Sequence, residues 1–247
     1  MSIGGAELYE KILSEFERLV DDDKMLREIT AEIKDYVSVN LYAERLGTHL
    51  ASAFQKVLGA ADLPDGKVIT ELAEAAIRPM IENNRRLVNA SAEVAQKALN
   101  VSARIGLKPV TPKVRKSKVD GILTRLAEEN YDDIKWIVDA PVRNITQSFV
   151  NDYVEENVKF QAKAGLSPRI TRKLLRPCCP WCAKMEGTYI YGEHPDDIFR
   201  RHENCDCQVL YEPPEGNKQD VHTKKYIDDE NARKIEEKIF FISSHVR

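Results

Sequence analysis

Apolar residues recur along most of this chain at the three-to-four-residue step of a helix, and only one stretch departs from it. Leu8, Ile12, Phe16 and Leu19 or Val20 predict a helix over 6–20. The acidic run Asp21-Asp22-Asp23 ends it and offers an N-cap to the next. Ile29, Ile33, Val37 and Leu41, then Leu46, Leu50, Phe54 and Leu58, predict one long helix that stops at Gly59 and Leu63-Pro64-Asp65-Gly66. A helical segment over 67–78 meets Pro79, which should kink or end it. Helix then resumes to about Ile105. There Leu87, Val94 and Val101 lie seven apart, with Ala90, Ala98 and Ile105 on the same stripe, a pattern suited to packing against another helix. Packing inside a bundle is the plainer reading of that stripe, and an intermolecular coiled coil the alternative.

Gly106 closes this region. Residues 107–118 carry two prolines and five basic residues (Lys108, Lys113, Arg115, Lys116 and Lys118) without an acid. They read as a linker and the best domain boundary, either solvated or acting as an arm that contacts phosphates. Helices follow over 119–129 and 131–138. A further one starts at Pro141, where a missing N–H is harmless, and shows Val142, Ile145, Phe149 and Tyr153 on its apolar face before Gly165 stops it.

The pattern changes at 178–211. Thr188 to Tyr191 reads as a short strand, and Cys205 to Tyr211 alternates Cys, Cys, Val and Tyr as a second strand should. Asp196 to Arg201 could form one helical turn that delivers His202. Trp181 is expected to pack over the resulting hairpin. After Pro213-Pro214 a polar loop leads to a last helix near 226–242, with Ala232, Ile235, Ile239 and Ile242 on one face.

All five cysteines fall inside that stretch: Cys178, Cys179, Cys182, Cys205 and Cys207. Cys179-x-x-Cys182 forms one ligand pair, and His202-x-x-Cys205-x-Cys207 supplies the other after a spacer of about twenty residues. Two thiolates two residues apart can reach a metal from one tight turn, which Pro180 stiffens. Zinc suits thiolates with one imidazole, and a closed four-ligand site is structural rather than catalytic. Five candidates compete for four places: Cys179 and Cys182, with two or three of His202, Cys205 and Cys207. Cys178 is adjacent to Cys179 and points elsewhere. A disulfide cluster is the competing reading, but the cysteine count is odd and no export signal opens the chain. Two short strands with little apolar surface would be marginal alone, so the metal is expected to supply their folding energy.

Together these elements predict a mainly α protein: a long-helix bundle with a small C-terminal zinc-stapled β-hairpin module. The segments are an N-terminal helical domain (1–106), the basic linker (107–118), a helical region (119–176), the zinc module (177–213) and a C-terminal loop and helix (214–247). Net charge is −3, so bulk polyanion binding is not indicated. Yet from Asn157 to Lys184 there is no acid and there are seven basic residues, Arg169, Arg172, Lys173 and Arg176 among them. With Lys113, Arg115, Lys116 and Lys118 they are candidate contacts to nucleic acid or an acidic partner, or stabilisers of nearby thiolates. No apolar run reaches the ~20 residues that span a membrane.

The order Cys179, Cys182, His202 does not fit a zinc deaminase, which places H-x-E before P-C-x-x-C. An H-N-H-like nuclease would need a general-base histidine besides the zinc ligands, and His194 has no evident partner for that role. No phosphate loop, H-E-x-x-H helix or nucleophile elbow is present. His49, His222 and His245 have packing or surface explanations.

Cys179-Pro180-Trp181-Cys182, then Gly187, Tyr189 and Tyr191, then Phe199, His202, Asn204, Cys205, Cys207, Val209 and Tyr211 trace C-x-W-C, G-x-Y-x-Y and F-x-x-H-x-N-C-x-C-x-V-x-Y. This stretch, Leu166 to Pro213, resembles the C-terminal part of the minor head proteins of tailed bacteriophages, the head-morphogenesis family of the Mu F-like group. The helical part fits the family only in general character. Some members carry fused toxin domains such as ADP-ribosyltransferases, for which no extra domain or E-x-E strand is found. The resemblance implies a non-enzymatic structural protein inside the head, present in few copies beside the portal protein and other head proteins. It would assist head assembly, DNA packaging or ejection, with packaged double-stranded DNA a candidate contact, and reside in the host cytoplasm before assembly. One structural zinc ion is the expected cofactor. The alternative reading is a zinc-dependent DNA-binding protein or H-N-H-like nuclease.

Overall fold

The computed structural model describes residues 2–115, 117–175, 179–202 and 206–214, together with the backbone of 218–220 and 225–227. Helix α1 (Gly5–Asp22) buries Leu8, Ile12 and Phe16, as its spacing requires. The next predicted helix is two: α2 (Lys24–Ala31) and α3 (Tyr36–Ala60). The break between them has a local cause. Asp35 accepts a hydrogen bond from the Ser38 amide at 2.8 Å, and the Ser38 hydroxyl answers toward the Asp35 backbone in a capping box that restarts the helix. Asp23 caps α2 by accepting from Leu26 N at 3.0 Å, as the acidic run suggests.

Pro79 does not end its helix. Helix α4 (Thr70–Leu72) continues through a widened π-turn over Ala73–Ile77 directly into α5 (Arg78–Ser102). The wide turn absorbs the missing N–H where a tight helix would break. The α5 stripe is also displaced from expectation. Val94 and Val101 are about half exposed, at 53% and 51%, while Ile81, Val88, Ala92 and Ala95 are buried with Asn84, Gln96 and Asn100.

Helix α6 (Ser117–Glu128), α7 (Tyr131–Ile134) with a 3₁₀ turn over Lys135–Val138, and α8 (Ala140–Lys163) follow as predicted, with Pro141 in the first turn of α8. Helices α3 and α8 approach closely at Gly47. A Cβ there would stand 3.1 Å from both Arg143 Cα and Thr146 Cβ. Segment 107–118 is not a freely solvated linker. The Val110 amide donates to Asn157 Oδ1 and the Asn157 amide donates back to the Val110 carbonyl, both at 2.9 Å, tying it to α8.

The expected hairpin is a three-stranded antiparallel sheet. Strands β2 (Gly187–Ile190) and β3 (Gln208–Glu212) do not pair with each other; β1 (Arg169–Lys173) lies between them. Ile170 stands opposite Tyr189 on one side and Tyr211 on the other. The sheet shares the helical core: Ile170, Val209 and Tyr211 join the residues of α3 and α8. The turn helix α9 (Pro180–Ala183) links β1 to β2. Beyond the sheet, β4 (Lys218–Asp220) pairs with β5 (Lys225–Ile227), so the first residues of the expected last helix lie in a strand. Ala232, Ile235, Ile239 and Ile242, with His222 and His245, lie outside the described residues. No described helix is long and apolar enough to cross a membrane.

Two outcomes follow. Replacing Gly47 by Leu forces α3 from α8 and should lower stability by about 1–3 kcal/mol, read as a fall in the urea midpoint. The second concerns Asp23, buried between Arg45 (2.6 Å) and His49 (2.7 Å), where the Arg45 guanidinium holds the carboxyl well below the usual range. A depressed carboxyl contributes stability above its unfolded pKa of roughly 4 and loses it as pH falls through the folded value. Asp23→Asn should therefore lower stability near neutrality and flatten its loss on acidification, measured by thermal melts from pH 7 to pH 2.

Candidate metal centre

Cys179 is the N-cap of α9, and its sulfur accepts a hydrogen bond from the Cys182 amide at 3.5 Å. Pro180 starts the turn, so the two thiols emerge from one tight bend, as the C-x-x-C spacing predicts. Cys182 is fully buried. His202 reaches the same point from the other end of the motif: its Nε2 lies 3.2 Å from Cys179 Sγ and 3.0 Å from Cys182 Sγ. The three ligand atoms all lie within 4.8 Å of one another and could hold a metal ion. The Cys182 amide aimed at its sulfur, with His202 nearby, holds the Cys179 thiol below its ordinary pKa, favouring the form that binds metal.

The donor chemistry fits a metal. Bonds of about 2.3 Å to sulfur and 2.0–2.1 Å to nitrogen would require only a few tenths of an ångström of spreading from these separations. Cys179, Cys182 and Cys207 are thiols. Cys207 is buried beside Cys182, but its sulfur is not within the close three-atom group. Cys205, Asn204 and Cys178 lie outside the described residues.

The loop that carries His202 is held by side chains that the sequence reading passed over. From α8, Asn144 donates to the His202 carbonyl at 2.8 Å and Asn151 to the Phe199 carbonyl at 3.0 Å. Arg201 donates to the Cys207 carbonyl at 2.6 Å, to Asn144 Oδ1 at 3.2 Å, and to Gln147 Oε1. Asn144, Gln147 and Asn151 recur at intervals that share one face of a helix, a signal that an apolar-only count does not register. Trp181 packs edge-on to His202 with ring centres 5.4 Å apart, and its ring also meets Arg172 of β1.

The basic candidates divide. Lys113, Lys118 and Lys173 are exposed. Arg115 is half exposed and pairs with Glu155 at 2.6 Å and Asp152 at 3.4 Å. Arg169 pairs with Glu212 at 3.3 Å. Arg172 is a correction: it is 1% exposed, drawn inward by the carbonyls of Ile198 and Arg200, and cannot serve as a surface contact. Lys116 and Arg176 lie outside the described residues. His194, the histidine that a nuclease reading would need, is partly buried between the rings of Tyr191 and Phe199.

Fold and site together define a mainly helical protein with a small antiparallel sheet and a Cys/His cluster able to hold a metal. Compared with protein-family models, curated proteins and solved structures, the chain matches none.

Removing one ligand separates the metal's contribution from that of the sheet. Cys182→Ser should lose bound metal, measured by elemental analysis, and open the Cys179–Ala183 turn to protease. Because Ile170, Val209 and Tyr211 are anchored in the helical core, the far-UV circular dichroism should stay near wild type. Full retention of metal and of protease resistance would contradict the ligand assignment.

Proposed function

We propose that this chain is a structural minor head protein of a tailed phage or prophage. It would act inside the head near the portal, in assembly, DNA packaging or ejection, with one structural zinc ion stapling its C-terminal module. The observation that carries the reading is the convergence of Cys179, Cys182 and His202, drawn from both ends of the motif that resembles the head-morphogenesis family. Residues 20 or more apart meet at one point only if the intervening turn, strand and loop fold as a unit, which a chance C-x-x-C does not demand. Cys205 or Cys207 would complete a four-coordinate site, leaving no open position for chemistry and favouring a structural role. The long helices would make the protein contacts. The exposed Lys113, Lys118 and Lys173 would face the portal or the packaged DNA, where cations gain from phosphate contacts.

The test is mass spectrometry of gradient-purified particles from a host carrying this gene. Peptides of the chain are expected to co-band with portal and major capsid protein at a few copies per particle. Absence from particles, with abundant protein left in the cytoplasm, would overturn the virion reading and favour the DNA-binding or nuclease alternative.

A further inference from the structure

A small recess, open to solvent, lies where segment 107–118 meets α5, α6 and α8. Val119 and Phe149, both buried, give it an apolar wall. The rest is charged. Arg85 comes from α5, Lys113 and Arg115 from the segment, and Lys118 from the first turn of α6. Against these cations the described lining sets one carboxylate, Asp152 of α8. The paired bonds between Val110 and Asn157 pin the segment to α8, so the recess is formed before any ligand arrives.

The arginines are already engaged. Arg85 pairs with Glu82 at 2.7 Å, and Arg115 with Glu155 at 2.6 Å and Asp152 at 3.4 Å. Lys113 and Lys118 are exposed, and neither has an ion pair among the described residues. Two acceptors line the same space. Asp152 is 9% exposed and Asn89 7%, and Asn89 Oδ1 has no hydrogen-bond partner. Burial raises the Asp152 carboxyl above its ordinary pKa, against the pull of Lys118 and Arg115, as befits a carboxylate short of donors.

Cations and buried acceptors make different demands on a ligand. The cations ask for negative charge, and the acceptors ask for a proton to share. Sulfate and the diesters of a nucleic-acid backbone meet only the first demand at neutral pH. Hydrogenphosphate meets both: its bare oxygens accept from ammonium groups, and its one P–O–H donates.

We propose that this recess binds hydrogenphosphate, with Lys113 and Lys118 holding its charge and Asp152 accepting a hydrogen bond from its P–O–H. Anions that carry no such proton are turned away by the Asp152 carboxylate and the Asn89 oxygen. The inference goes beyond the head-protein reading and rests neither on it nor on the metal centre.

Calorimetric titration of the full chain at about pH 8, with inorganic phosphate and with sulfate at matched ionic strength, tests the selectivity. Phosphate should bind, with sulfate weaker by about tenfold or more, the worth of one charge-assisted hydrogen bond. Asp152→Asn puts an amide that can donate where only an acceptor stood. Phosphate should then weaken and sulfate gain until the two bind alike; a residue that merely supported the fold would weaken both in parallel. Lys118→Gln, at an exposed position, should weaken both anions together. Equal binding of the two anions to the wild-type chain, no phosphate binding, or unchanged phosphate affinity in Lys118→Gln would each overturn the proposal. Displacement of bound phosphate by a short duplex with hydroxyl ends would mark a site for backbone diesters and overturn it too. Should Asp152→Asn fail to fold, the wild-type comparison and Lys118→Gln still decide.

Discussion

Helix α8 buries amides and hydroxyls alongside its apolar side chains, and most of them find a partner inside the protein. Gln161 donates to Asn100 Oδ1 at 3.1 Å and accepts from the Tyr211 hydroxyl at 2.8 Å. Asn100 also accepts from Gln96 at 2.8 Å, and Gln96 accepts from the Tyr36 hydroxyl at 2.7 Å. One chain of hydrogen bonds thus joins α3, α5, α8 and β3. Asn157 adds segment 107–118, Asn84 donates to Thr146, and Asn144 and Asn151 add the loop before His202. A buried polar group left without a partner costs about 1–3 kcal/mol. A slip of any of these elements would strand several such groups at once, so the network selects one arrangement where apolar packing alone would tolerate many.

That arrangement gives the candidate centre two halves. The His202 side hangs from α8 through Asn144 and from β1 through Arg172, both parts of the main core. The Cys179–Cys182 side is a four-residue turn: Cys182 clusters with Cys207 and Leu174, and Trp181 packs against the main core. A metal here would join the turn of Cys179 and Cys182 to the loop of His202. This differs from a metal that creates its own fold, as the small apolar content of 178–211 suggests when read alone. Val209 and Tyr211 find their apolar partners far away in sequence, on α3 and α8, with Asn40 donating to the Val209 carbonyl.

The same long-range burial explains what was legible in the sequence. Leu8, Ile12 and Phe16, the Pro141 start and the C-x-x-C turn rest on neighbours within a few residues, and spacing reveals them. The cluster of Cys179, Cys182 and His202 was legible because metal chemistry restricts residue type so strongly. Strand β1 was not: Arg169-Ile170-Thr171-Arg172-Lys173 has one apolar residue, and its strand character comes from being flanked on both sides. The face of α5 misled for the opposite reason. Val94 and Val101 draw the eye, whereas Ala92, Ala95, Gln96 and Asn100 do the packing and carry little apolar signal. The interruption at 32–35 was written in Asp35 and Ser38 but hidden by an unbroken four-residue step of apolar side chains.

The sheet order β2-β1-β3 has a bearing on the sequence of events at the ribosome. The middle strand is made first, and both of its neighbours come after it in the chain. The helices through α8 can assemble once residue 163 has emerged, while Arg169–Lys173 waits with both edges unpaired. At roughly 5–20 residues per second, synthesis takes a few seconds to supply the second flanking strand. Until Ile198 and Arg200 have been made, Arg172 lacks the carbonyls it will meet, and its charge keeps the waiting strand in water. A charged residue that ends up at the centre of the finished structure thus guards the nascent one against premature pairing with other chains.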